Sequence, residues 1–426
     1  MKNNYVLLKD ISTIYESNVD KKITDGQNFV KLCNYTDVYN NWAIFKEHEN
    51  SFMISTATNL EINKFILKKG MIALTKDSEK RNDIGVPTYI YDELDNVLLG
   101  YHNALIIPSI NIDGSFLNAY LYTNYAKKYF MFQAKGSGQR FSLSMFSIGN
   151  LKIYYPTNKI QKKIGKIYSN IAKQIQINNN IINKLQELAE TIYNYWFIQF
   201  DFPDEKGRPY KTSGGKMVWN EELGKEIPKD WQVESIIENR LSKTITSGVK
   251  KFTTKFYLPT ANIDLETIKE GNIITFENRE SRANMEPKKN SVWFAKMSKS
   301  IKHITLPKNS DWFINKYILS TGFVGIECKE EYLSYIHCVV CTPDFERQKD
   351  MLSHGATQKA VNNTDLKKLK LIIPTDNILK KFNKLVYPIL TYKISLMQEI
   401  QELTSLRDFL LPLLMNGQVE FRESED

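Results

Sequence analysis

The stretch GSGQRFSLSMFSIGNLKIYYP fills Gly136 to Pro156, and GATQKAVNNTDLKKLKLIIP fills Gly355 to Pro374. Each runs glycine, two small residues, glutamine, a basic residue, a polar stretch, an apolar run that suits a strand, and a closing proline. A chain that carries this punctuation twice, more than two hundred residues apart, reads as two half-molecules.

A long helix is predicted after each closing proline. Every seventh residue from Ile164 reads Ile164, Ile171, Asn178, Leu185 and Ile192, and from Phe382 it reads Phe382, Ile389, Leu396, Leu403 and Leu410. The rows three residues further on read Ile167, Gln174, Ile181, Leu188 and Tyr195, and Leu385, Tyr392, Glu399, Leu406 and Leu413. Apolar rows at this spacing make a helix-pairing seam. Helices of about 35 to 40 residues, at about 1.5 Å per residue, are roughly 55 to 60 Å long. A lone amphipathic helix of that length must pack on something, and the simplest partner is the other copy, which places the halves about a pseudo-twofold axis. Asn178 has two readings: a seam residue that fixes register, or part of a solvated bend in INNNII. Pro388 removes a backbone bond and is expected to kink the second helix.

Upstream of each repeat lies a larger segment with another pattern. Short apolar runs such as NALIIPSI, GNIITF and SVWFAKM, broken by Gly, Pro, Asn and Asp, predict strands, turns and a few short helices. The expected fold class is α/β (mixed α+β): two globular domains, residues 1–155 and 229–374, and two coiled-coil helices, residues 156–200 and 375–415. Residues 201–228, rich in Gly, Pro and charge, read as a linker with little core of its own, and 416–426 as a tail.

At 426 residues the chain is too long for one ordinary core, and its 42% apolar content fills two. Its 57 Lys and Arg against 48 Asp and Glu give a net charge of +9, which fits a polyanionic partner. The apolar run at the N-terminus is too short for a signal peptide, and no apolar stretch is long enough to span a bilayer, so a cytoplasmic protein without membrane contact is expected. Four cysteines, Cys33, Cys328, Cys338 and Cys341, do not make a disulfide framework in a chain of this length.

Catalytic motifs are missing. There is no phosphate loop, no zinc-protease helix, no nucleophile elbow, no third glycine after Gly136 and Gly138 for a dinucleotide fingerprint, and no Asn/Asp-Pro-Pro-aromatic tetrapeptide of amino methyltransferases. In HCVVC, Cys338 and Cys341 have metal-ligand spacing beside His337, Cys328 and His354, yet a second ligand pair is absent, and no metal is expected.

Basic residues on polar loops are the candidate contacts to nucleic acid. Lys135, Ser137, Gln139 and Arg140 surround the first repeat, and Thr357, Gln358 and Lys359 the second. Lys21, Lys22, Lys76, Arg81, Lys250, Lys251, Arg279 and Arg282 lie on other loops of the two domains. Lys and Arg neutralise phosphates, while Arg and Gln suit bidentate contacts to guanine and adenine edges. The alternative is that the Gly-x-x-Gln segment only closes a turn docking each domain on its helix, and that the other charges are solvated.

The whole chain resembles the specificity subunits of type I restriction-modification enzymes. NYTDVYNNWAIF and LKKGMIALTKDSEKRNDIGVP look like a first target-recognition domain, GATQKAVNNTDLKKLKLIIP like a domain-to-helix junction, and YWFIQFDFPDEKGRPYKTSGGKMVWNEELGKEIPKDW like a central linker into the second domain. The resemblance implies antiparallel spacer helices that hold two recognition domains apart, each domain reading half of a split target in double-stranded DNA. It also implies partners: two copies of a methyltransferase subunit using S-adenosylmethionine, and a restriction and translocase subunit using ATP and Mg2+. No cofactor would bind this chain, which would not be an enzyme itself. A self-contained methyltransferase or nuclease, or a coiled-coil adaptor that binds only proteins, are the rival classes.

Overall fold

The computed structural model describes residues 5–237, 239–264, 267–268, 271–355, 359–416 and 418. The chain forms two compact units, Met1–Gln176 with Gln401–Asp426, and Ile177–Ile400.

In the first unit, strands follow the order Ser12–Glu16, Asn103–Pro108, Ile72–Thr75, Pro87–Ile90, Ala43–Ile44 in one sheet. The runs IALT and NALIIP are buried along most of their length because helices cover the sheet, and Leu74, Ala104, Ile106, Phe116 and Phe130 share one core. In the second unit the sheet order is Ser242–Thr244, Phe323–Cys328, Ser291–Ala295, His303–Leu306, with every neighbour antiparallel. This matches the first four strands of the first unit, which are also antiparallel. The class is α/β in mixed α+β form, with two long helices.

The match extends to single hydrogen bonds. Thr123 caps helix Asn124–Gln133 by accepting from the Ala126 amide at 3.2 Å, and Thr342 caps helix Pro343–Met351 by accepting from the Phe345 amide at 3.1 Å. Ser144 and Asn362 cap the short helices within the two repeated segments. Strand Tyr5–Leu7 pairs with Lys152–Tyr154, and Gln232–Ser235 pairs with Lys370–Ile373, so in each unit a strand near the start of the domain pairs with the strand before the closing proline. Side-chain capping and strand closure at the same places are what an internal repeat produces after its surface sequence has diverged.

The long helices are Asn158–Tyr193, extended by a π turn Asn194–Ile198, and Asp376–Met415. In the first unit Ile160, Ile164 and Tyr168 pack with Leu410, Leu411, Leu414 and Met415. In the second, Leu185, Ala189, Ile192 and Tyr193 pack with Phe382, Val386, Ile389 and Leu390, and Lys393 Nζ donates to Gln186 Oε1 at 2.7 Å. Early residues of one helix meet late residues of the other in both units, so the pair is antiparallel. The second helix continues unbroken through Pro388, whose side is exposed.

Three expectations need correction. The rows three residues on from the seam do not close it: Leu188, Tyr195, Leu385, Tyr392 and Leu406 are exposed. The buried row lies four residues on, through Tyr168, Ala189 and Trp196 on the first helix and Val386, Lys393 and Leu414 on the second. At 3.6 residues per turn either row can flank a seam, and apolar side chains on the outer one drew the expectation. Asn178 is only 1% exposed, which removes the solvated bend. Finally, residues 201–228 are no bare linker. Phe200, Phe202, Ile227 and Trp231 join the core around Phe382 and Tyr335, with the Phe202 and Trp231 rings stacked 5.1 Å apart. Asp201 ties down the turn by accepting from the Thr212 amide at 2.8 Å and its hydroxyl at 2.7 Å. Aromatics spaced among the glycines and charges carry that burial.

The first long helix is anchored at its start. Gln161 accepts from the Asp113 amide at 3.0 Å and donates to the Pro156 carbonyl at 2.9 Å. Next to it, Gly165 lets the helix press on the N-terminus of helix Gly114–Leu121, where a Cβ would lie 2.1 Å from Ser115 Oγ and 2.9 Å from the Phe116 nitrogen. No helix among the described residues is long and apolar enough to cross a membrane.

Candidate nucleic-acid interface

The first repeated segment folds as a hairpin of strands Lys135–Ser137 and Arg140–Ser142, and the second strand pairs with Asp77–Ser78. Gly136 has φ +139° because its neighbour's backbone crosses where a side chain would stand, 2.1 Å from the Arg140 carbonyl oxygen. Gly355 has φ +132°, and His354 bridges Ala360 as Lys135 pairs with Ser142. The repeated glycine is therefore structural in both units.

Behind the hairpin the units share another feature, missed in the sequence. Lys76 donates its amide to the His102 carbonyl, and its own carbonyl accepts from Leu143. Lys296 donates to the Gly322 carbonyl and accepts from Val361 in the same way. The signal was present as Lys76-Asp77-Ser78 and Lys296-Met297-Ser298, each following an apolar strand. This register also corrects the pairing of Arg140 with Lys359. Seven steps lead from Gly136 to Leu143 and six from Gly355 to Val361, so Lys359 corresponds to Phe141.

Several first-domain candidates converge here. One terminal nitrogen of Arg140 donates to Asp77 Oδ2 at 3.1 Å and lies against the His102 ring, 3.0 Å from Nε2, while His102 Nδ1 lies 2.6 Å from the same Asp77 oxygen. Lys76 bridges Glu16 at 2.8 Å and Asp77 at 3.6 Å. Arg81 donates to the Ala134 carbonyl and lies over the Phe141 ring, and Lys21 lies over Tyr101. Gln139 and Arg140 line a cavity of about 510 Å³ with Tyr35, Tyr39, Asp77 and His102. Burial alone would raise the Asp77 carboxyl, but hydrogen bonds from Ser142 and His102 and the charges of Lys76 and Arg140 outweigh it and hold the group below the usual carboxylate range. Tyr39 donates to Asp83 Oδ2 at 2.7 Å, and that bond, with burial, pushes its hydroxyl up to about 12. Lys22 lies apart, its carbonyl accepting from Ser55 and Thr56, and Lys135 is exposed.

In the second domain, Gly248 bridges Met285, which brings the loop holding Lys250 and Lys251 beside the strand Ala283–Met285 that follows Arg279 and Arg282. Arg279 folds back over Phe276, 3.9 Å from its ring centre, and bonds that residue's carbonyl. The Arg282 guanidinium lies beside Gly322, the residue whose carbonyl holds Lys296. Lys359 is exposed and its carbonyl accepts from Ser298. Thr357 and Gln358 lie outside the described residues, as does the side chain of Ser137. Burial lowers the Lys296 ammonium, and its side chain has no partner among the described residues. Of the cysteines, Cys338 sits within the buried helix Glu330–Val340, where His337 Nδ1 meets Thr305 Oγ1 at 2.7 Å.

The two units thus share one antiparallel sheet order, a glycine-led segment with a left-handed glycine, and basic side chains on loops beside it. Residues 2–187 match the family model described as type I restriction modification DNA specificity domain. The chain is 26% identical over 368 residues to the type I restriction enzyme MjaIX specificity subunit of Methanocaldococcus jannaschii, covering 84% of this chain and 79% of that one. It is 22% identical over 409 residues to the HindI specificity subunit of Haemophilus influenzae, covering 84% and 88%. The crystal structure of the type I restriction-modification S subunit from M. genitalium shares the fold, with a TM-score of 0.55 at 13% identity over 99% of this chain and 98% of that one.

Proposed function

We propose that this chain is the DNA-recognition subunit of a type I restriction-modification complex, in which residues 1–155 and 229–374 each read one half of a bipartite target. It is the non-catalytic component, and it holds no cofactor of its own. The observation that carries this is the repeat itself: the same four-strand order, strand closure and helix caps occur twice, while the side chains presented differ. Such a pair suits a target with two unlike halves separated by an unread gap. The helices, roughly 54 to 60 Å for 36 and 40 residues, exceed one DNA turn of about 34 to 36 Å, as a split site requires.

The exposed apolar residues Leu188, Tyr195, Leu385 and Tyr392 in the second unit suit the docking of methyltransferase subunits, two copies in the assembled complex. Those subunits would bring S-adenosylmethionine and methylate adenine N6 after flipping the base. A restriction subunit would bring ATP and Mg2+, and the complex would work in the cytoplasm, where the host DNA lies. Exchange of residues 1–155 for the corresponding domain of a relative tests the two-module reading. The methylated motif is expected to change in one half only, and a change in both halves refutes it.

A further inference from the structure

Resting on the DNA-recognition reading above, we propose that Arg140 reads a guanine edge in the half-site bound by the first domain, and that Asp77 positions it. Arg140 stands on the hairpin, with its side chain 56% exposed. Only one corner of its guanidinium is anchored, by Asp77 and His102. The N–H groups on Nε and on the other terminal nitrogen have no partner among the described residues.

Asp77 is itself fixed, being 7% exposed at the end of the buried strand Ile72–Thr75 and held by Lys76 and His102. A guanidinium pinned at one corner keeps its remaining donors in one plane and direction. That arrangement suits paired acceptors on a rigid base edge, and guanine alone offers two, N7 and O6, in the major groove. Arginine also forks onto phosphate, and the two contacts part in their readout: a base contact affects one position of the site, a phosphate contact affects all sequences alike.

The second domain supplies an independent observation. It keeps the strand, the lysine and the glycine-led segment, yet Met297 replaces Asp77, Gly322 replaces His102, and by the same count along the sequence Gln358 replaces Arg140. The scaffold is shared and the anchored arginine is not. Two domains that read unlike half-sites must differ at the groups that read.

The test maps N6-methyladenine across the genome of a host carrying the complex with wild-type chain, Arg140→Lys or Asp77→Asn. Lysine keeps the charge and the pairing to Asp77 but lacks the planar fork. The expected result for Arg140→Lys is a wild-type motif in one half, and in the other half one guanine position relaxed by about 10- to 100-fold. Asp77→Asn relaxes the same position to a smaller extent. An unchanged motif, or methylation weakened equally at every position, overturns the assignment. If Arg140→Lys abolishes methylation, the purified complex is titrated with duplexes carrying each of the four bases at that position. Retained discrimination or equal loss for all four then overturns it, and loss of the guanine preference alone supports it. A wild-type map without a two-part motif defeats the recognition reading itself, which separates the two failures.

Discussion

Gly136 and Gly355 hold nearly the same left-handed backbone, φ +139° and +132°, at the same point of the two repeated segments. At Gly136 the Arg140 carbonyl fills the space of a Cβ. Gly136→Ala is therefore expected to displace the hairpin at a cost of about 2 to 3 kcal/mol. Gly138 has φ +60° with open space around it, so Gly138→Ala costs about 1 to 2 kcal/mol of backbone strain alone. Thermal unfolding of both variants checks the order.

Gly165→Ala places a methyl against Ser115 and the Phe116 nitrogen, where the first long helix meets helix Gly114–Leu121. The expected loss is about 1 to 3 kcal/mol, since overpacking must shift the backbone. Denaturant midpoints measure it, and an unchanged midpoint would show that the contact is not tight.

The sequence made the helices and the repeat legible because both rest on local signals: a spacing of seven, a proline, a glycine that no other residue replaces. The outer and inner helix rows were not separable, because Leu385 and Tyr392 are as apolar as the residues actually buried. Trp231 and Phe202 were hidden among glycines and charges, and their burial depends on Phe382, far along the chain. Asp77 and His102 were missed as a pair because strand register, not spacing, joins them to Arg140.

Lys296 carries an ammonium that burial disfavours, with no partner among the described residues. Its folded pKa is lowered, so the charged form costs stability at neutral pH, and that cost fades as pH rises toward the unfolded value of about 10.4. Lys296→Met is expected to raise the Tm at pH 7 while weakening DNA binding by the complex. If Lys296 meets a phosphate, the slope of log K against log salt falls by about 1. A lower Tm contradicts the burial argument.

Asp77 titrates in the opposite sense. Its folded pKa is lowered, so its contribution is complete above the unfolded value of about 3.9 and is lost as pH falls through the folded value. Unfolding measured from pH 6 down to pH 3 is expected to show a smaller acid loss for Asp77→Asn than for the wild type.

Four residues inserted into the first long helix near Asn178 add about 6 Å. At about 3.4 Å per base pair, the gap in the methylated motif is expected to widen by up to two base pairs. Both halves of the motif stay as they were.

In the proposed function this chain selects a two-part DNA target for a methyltransferase carried on another subunit. The most direct measurement is a genome-wide map of N6-methyladenine in a host expressing the methyltransferase subunit, with this chain present and with it deleted. A bipartite motif with a fixed gap that vanishes on deletion is expected. An unchanged map, with the methyltransferase expressed in both strains, would contradict it.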